Sequence, residues 1–170
     1  MKNPDLAYLH QLLRLDTETG KLYWRENDIK DRQWHGRCAG KEAFTAVNKG
    51  YRVTRLDGQN LQAHRVIFAM ANGWWPGEVD HRDGDTLNNR PSNLRPADSA
   101  QQRANSRPRA RKFKGAYPTK GGRWKAQTKI GGEQRYHGTF GCETAAAMAA
   151  ARVMRAHFGE YSHTGLEQRG

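Results

Sequence analysis

Turn signals cut this chain into short pieces, which limits it to small sheets and short helices. Thr19 with Gly20, Asp57 with Gly58, Asn72 with Gly73, Pro76 with Gly77, the stretch 119–122 and Gly131 with Gly132 all read as breaks or turns. Asp57-Gly58 separates the alternating run 51–56 from the run 59–62, a strong hairpin signal. Leu6, Leu9, Leu12 and Leu13 give a short amphipathic helix over 5–15, and 21–24 reads as a strand followed by a polar loop to about Lys41. Residues 63–71 form a helix with Val66, Ile67 and Met70 on one face, ended by Asn72 and Gly73. A short strand follows at 78–81, then a Gly/Asp/Asn loop from 83 to 93. A polar helix capped by Asp98 or Ser99 runs to about Asn105.

Residues 106–112 read as a basic, Pro-broken linker between a first domain, 1–105, and a second, 113–170. In the second, 113–118, 124–130 and 134–140 are strands. Residues 143–158 are one alanine-rich helix with Ala147, Ala150, Ala151, Met154 and Phe158 as its apolar stripe. The fold class is therefore α+β. The first domain is a small β-rich unit leading into a strand, loop and helix. The second is a three-stranded antiparallel sheet packed on one helix.

Charge follows the same division. The 170 residues carry 29 Lys and Arg against 17 Asp and Glu, a net charge of +12. Residues 1–100 contribute only +2 of this and residues 101–170 contribute +10. The stretch 99–132 holds ten basic residues and no acid, with Phe113, Tyr117 and Trp124 interspersed as in a folded nucleic-acid-binding surface. A polyanionic partner is the expectation. No apolar run approaches the roughly 20 residues of a membrane span. The start of the chain, broken by Asp5, His10 and Arg14, is not the pattern of a signal peptide, so a cytoplasmic setting is expected. Two cysteines exclude a disulfide scaffold and a four-cysteine zinc site; Cys38 and Cys142 read as reduced and buried.

Chemistry concentrates between residues 78 and 105. Asp80 and His81 stand side by side on the short strand, Asn93 follows His81 by twelve residues, and Gln102 follows Asn93 by nine, with Asn105 one helical turn later. Phosphodiester hydrolysis needs a base near neutral pH, which His supplies, and a cation held by hard oxygen ligands to offset charge on the phosphate. Asp80, an amide oxygen from the helix and the DNA phosphate suit Mg²⁺, with Mn²⁺ as the alternative and no zinc expected. Asn93 can bond across the loop and hold the His81 backbone. Asn88 and Asn89 read as turn residues, and His64 either helps the site or packs.

The segment resembles the ββα-metal core of the HNH endonucleases, in the form found in phage and intron homing enzymes. The resemblance rests on Asp80-His81, the Asp83-Gly84-Asp85 loop with Asn88 and Asn89, Asn93-Leu94-Arg95, and the helix after them. Upstream, Leu15-Asp16, Thr19-Gly20, Tyr23-Trp24 and His64-Arg65 fit too, so that it spans roughly residues 10–107. It implies a first domain built on an HNH core with an N-terminal β-rich extension. By the same resemblance Asp80 is the first metal ligand, His81 the general base and Asn93 the residue that orients the base. The products would carry 3′-hydroxyl and 5′-phosphate ends. The family usually places His or Asn where Gln102 stands. Gln carries the same amide oxygen on a stem one methylene longer, so Gln102 or Asn105 completes the metal site.

In the second domain, Lys114-Gly115-Ala116-Tyr117, Arg123-Trp124-Lys125-Ala126, Tyr136-His137-Gly138-Thr139-Phe140 and Glu143-Thr144-Ala145-Ala146 resemble the plant ethylene-response-factor DNA-binding domain over about 112–165. That family lays its sheet in the major groove. Alternation puts Arg123, Lys125, Gln127 and Lys129 on one face and Trp124, Ala126, Thr128 and Ile130 on the other. The expected DNA contacts are Arg107, Arg109 and Arg111 in the linker, then Lys114, Arg123, Trp124, Lys125, Gln127, Lys129, Arg135 and Tyr136, with Trp124 and Tyr136 open to a core role instead. The whole reads as a Mg²⁺-dependent endonuclease on double-stranded DNA. The alternatives are a DNA-binding regulator with an inactive nuclease core and an RNA-binding or packaging protein.

Overall fold

The computed structural model describes residues 3–106 and 113–166. The chain divides into two compact units, Met1–Ala97 and Asp98–Gly170.

The first unit opens with helix α1 (Leu6–Leu12), whose N-terminus is capped by the Asp5 carboxylate accepting from the Tyr8 N–H. The expected helix stops early, because the chain turns extended at Leu13 to form β1 (Leu13–Asp16), which pairs with β2 (Lys21–Trp24). The polar loop expected up to Lys41 contains a helix, α2 (Arg32–Cys38), and ends in β3 (Glu42–Ala43), the third strand of this sheet. Asp31 caps α2, a signal that Asp before a polar run gives only weakly. A second sheet joins β4 (Ala46–Asn48), β5 (Tyr51–Leu56) and β6 (Gln59–Gln62), with the Asp57-Gly58 turn where expected. Helix α3 (Ala63–Asn72) ends on left-handed Gly73. The antiparallel pair β7 (Glu78–His81) and β8 (Leu94–Ala97) completes the unit.

One core runs through these pieces. Val66, Ile67, Phe68 and Met70 of α3 meet Leu9, Leu12, Leu13, Leu22, Phe44, Leu56, Val79 and Leu94. Every element of the unit is short, and the apolar face of α3 is what joins them. The turn between β1 and β2 is also seated against the loop that follows β7. Gly20, at φ +68°, lies so close to the backbone of Asn89 and Arg90 that a Cβ would sit 2.3–2.7 Å from their atoms. Arg90 Nε donates to the Glu18 carbonyl at 2.6 Å across the same contact.

The second unit begins with α4 (Ser99–Asn105), capped by a reciprocal box in which Asp98 accepts from the Ala100 and Gln101 N–H groups and the Gln101 side chain accepts from the Asp98 N–H. At its other end, Lys114 Nζ donates to the Arg103 and Ala104 carbonyls, and the His163 N–H also bonds Ala104. Strands β9 (Ala116–Pro118), β10 (Trp124–Ile130) and β11 (Glu133–Phe140) form an antiparallel sheet with β10 in the middle, covered by α5 (Glu143–Phe158). Ala146, Ala147 and Ala150 lie against Ala116 and Ala126. Gly115, at φ +76°, admits the helix so closely that a Cβ would meet Ala150 Cβ at 2.4 Å. Ala146 joins the expected stripe, while Met154 and Phe158 are only half-buried. Cys142, at the N-cap of α5, is exposed and Cys38 is half-buried, so neither is the buried thiol expected; both are reduced.

Gly20→Ala should lower stability by at least about 1–3 kcal/mol from its left-handed backbone alone, with the clash against Asn89 added. Denaturant unfolding of the two proteins measures the difference.

Candidate active site

Asp80 and His81 sit on β7, where pairing with β8 sets Asp80 opposite Arg95 and His81 opposite Leu94. Residues directly opposite in an antiparallel pair share a face, so Asp80 and Arg95 meet. Arg95 brings both Nε and Nη2 to Asp80 Oδ2, each at 2.9 Å, and both side chains are almost fully buried. The sequence reading gave Arg95 no role. The missing signal was β8 itself, whose pairing with 78–81 would have put the two charges opposite one another.

The His81 ring is 4% exposed. Its Nε2 lies 3.0 Å from Asn89 Oδ1, and Asn89 is 1% exposed. An amide oxygen only accepts, so this contact is a hydrogen bond in the tautomer that carries a proton on Nε2. Asn89 is therefore not a simple turn residue, which corrects the sequence reading. Nothing local marks it apart from Asn88; only the folded loop turns its side chain inward. On its other side His81 meets the His64 ring at 5.1 Å between centroids, and Tyr51 follows at 5.0 Å from His64. Burial, then the neighbouring His81 and Arg65, lowers the His64 pKa to about 3, so His64 is neutral at pH 7.

Asn93 closes the loop. Its Nδ2 donates to Asp83 Oδ1 at 2.9 Å and to the Asn88 carbonyl at 2.8 Å, and its Oδ1 accepts from the Asp83 N–H at 3.2 Å. Its backbone carbonyl accepts from the Arg82 N–H at 2.9 Å, next to His81. Asp83 is the hub, accepting also from the Asp85 N–H and the Asn88 amide. Burial alone would raise its carboxyl, but these hydrogen bonds, with His81 nearby, outweigh burial and hold its pKa below the ordinary value.

Gln102 and Asn105 lie on α4, in the second unit; Gln102 is half-buried and Asn105 buried. Among the described residues no three His, Cys, Asp or Glu gather as a metal-holding group. The Asp80 carboxylate is a hard oxygen donor of the kind a divalent cation takes.

Of the expected DNA contacts, Arg107, Arg109 and Arg111 lie outside the described residues. On β10, Ala126, Thr128 and Ile130 are buried toward α5, while Lys125, Gln127 and Lys129 take the opposite face, as expected from alternation. Register adds Tyr117 from β9, with Lys125 Nζ 6.0 Å from its ring, and Tyr136, Gln134 and Thr139 from β11. Tyr136 is 60% exposed and bonds Thr139 Oγ1, and Gln134 donates to Gln127 Oε1. Arg123 is exposed beside them, donating to the Thr139 carbonyl. Trp124 packs on the core under α5. Arg135 falls opposite Thr128, in the register that the Gly131-Gly132 turn sets, and it pairs with Glu133. Lys114 is engaged at the end of α4.

Residues 61–104 match a family model described as HNH endonuclease. The matched stretch runs from β6 through α3, β7, the loop and β8 into α4. It contains Asp80, His81, Asn89, Asn93 and Gln102 and stops one residue short of Asn105. No curated protein and no solved structure gives a significant match to the chain. The HNH match supports a DNA-cleaving hydrolase with a divalent metal as its partner. No helix among the described residues is long and apolar enough to cross a membrane.

Removing Arg95 leaves the buried Asp80 carboxylate without its main counter-charge. Arg95→Met should destabilise by roughly 3–5 kcal/mol, read by denaturant unfolding. The Asp83 hub has its own signature. A carboxyl whose pKa is lowered in the folded state contributes stability that is fully present above its unfolded value near ~3.9 and is lost as pH falls through the lower folded value. Protection of the Asp85 N–H, which donates to the Asp83 carboxylate, should therefore persist below that pH in the wild type and vanish in Asp83→Ala.

Proposed function

We propose that this protein is a Mg²⁺-dependent DNA endonuclease of the phage or intron homing kind, in which the first domain cuts duplex DNA and the second grips it. The observation that carries the reading is His81, buried at the end of β7 with Nε2 3.0 Å from Asn89 Oδ1, beside Asp80 and ahead of a loop closed by Asn93. A divalent ion supplies charge offset on the scissile phosphate and leaving oxygen when bound. Asp80 would hold it through its carboxylate. His81 takes the proton from the attacking water. Asn93 keeps the backbone after His81 in place, so the imidazole does not have to be ordered during the reaction.

The face of Tyr117, Arg123, Lys125, Gln127, Lys129 and Tyr136 is the proposed DNA contact of the second domain, resembling the ethylene-response-factor sheet. Lysines and arginine suit phosphates, Gln127 an adenine edge, and the tyrosines sugars or bases. The basic residues Arg107, Arg109 and Arg111 would add further charge for DNA phosphates, and a cytoplasmic setting belongs to the same reading. Gln102, standing where the family usually has His or Asn, favours one alternative, a DNA-binding regulator whose core no longer cuts.

Nicking of supercoiled plasmid across a metal panel decides between them. Cutting with Mg²⁺ or Mn²⁺ is expected, with His81→Ala and Asp80→Asn each slower by roughly 10²–10⁴-fold while DNA binding is retained. Binding without any cutting in any metal supports the regulator instead. Lys125→Ala with Lys129→Ala should weaken binding and flatten its salt dependence.

A further inference from the structure

The nuclease reading leaves open why Asn89 is where it is. Burying a primary amide is unfavourable unless its groups are satisfied, and Asn89 Nδ2 is buried with no hydrogen-bond partner. An unmet amide donor of this kind costs about 1–3 kcal/mol, so a stability role alone would favour a smaller or apolar side chain. What Asn89 does provide is one contact, Oδ1 to His81 Nε2 at 3.0 Å. The backbone that carries it is fixed from two sides. The Asn89 N–H donates to the Leu87 carbonyl and the Asn88 N–H to the Asp85 carbonyl. From the other side the β1–β2 turn presses in at Gly20, where no side chain fits against Asn89 and Arg90, and Arg90 bonds Glu18.

We propose that Asn89 is a positioning residue that holds His81 in the tautomer protonated on Nε2, making Nδ1 the atom that takes the proton from water, and that the β1–β2 turn seats Asn89 through Gly20. The inference rests on the nuclease reading of His81. In the reaction the proton of water passes to Nδ1 and the water oxygen forms a bond to phosphorus. The bond from phosphorus to the 3′ oxygen breaks, and that oxygen leaves with the electron pair and is protonated by solvent. The imidazolium keeps its Nε2–H on Asn89 Oδ1 throughout, so the ring does not turn. Asn93 acts on the backbone of the loop, whereas Asn89 acts on the ring itself, so the two roles are separate.

Long-range nitrogen–proton spectra of the histidine-labelled full chain, taken where the imidazole is neutral, read the tautomer without any need for cutting. His81→Ala assigns the signal. The wild type should show the Nε2–H pattern at His81. Asn89→Asp retains an acceptor of the same shape and should keep that pattern. Asn89→Leu removes the acceptor and should give a mixture of tautomers, with kcat for nicking down roughly 100-fold and KM little changed. Gly20→Ala should move in the same direction without altering either side chain of the pair. A wild-type His81 protonated on Nδ1 overturns the proposal, as does an Asn89→Leu protein that keeps both the Nε2–H pattern and wild-type kcat. If the pattern behaves as expected but no metal supports cutting, the nuclease reading falls while the hold of Asn89 on His81 stands.

Discussion

The side chain of Asn93 has two donor hydrogens and one acceptor oxygen, and the loop it closes uses both kinds. That loop, from Arg82 to Asn93, has almost no apolar residue of its own, so it cannot be held by burial; it is held by polar contacts that converge on Asp83 and Asn93. Everything proposed for catalysis follows from this closure. It fixes the backbone just after His81, and it turns Asn89 inward to meet the imidazole. The β7–β8 pairing then puts Arg95 against Asp80. A network of this kind is strong only when nearly complete, because each partner lost leaves another buried polar group unmet.

Around the loop, the first unit is a set of pieces each too short to stand alone. Short strands and helices of this length are marginal without tertiary packing. The apolar face of α3 supplies it, and the β1–β2 turn adds a contact through Gly20 that a side chain would forbid. The second unit solves a similar problem with small residues. Alanines on α5 and Gly115 let helix and sheet approach closely, which leaves the opposite sheet face polar and basic.

Much of this was legible in the residues. The strands at 21–24, 51–56, 59–62 and 78–81, the helix ending at Gly73 and the alanine helix at 143–158 follow from alternation, turn chemistry and helical spacing, all of which are local. The strands β1, β4 and β8 were not legible. Such strands exist because a partner strand is there to bond them. The helix α2 was hidden because it has no buried residue and so no apolar stripe. In the site, Asp80, His81 and Asn93 stood out by order and chemistry. Arg95 and Asn89 did not, since each takes its role from a contact across the hairpin or the loop.

The sequence by itself determined the local elements, the separation of a near-neutral half from a strongly basic one, and the acid, imidazole and amide groups that point to phosphodiester chemistry, because each is written in neighbouring residues. Only the tertiary structure decided which asparagine touches the imidazole, which arginine offsets Asp80, and that Trp124, open to either role in the residues, packs on the core. Those outcomes depend on strand register and on how closely backbones can approach, and these are set by residues distant in the chain.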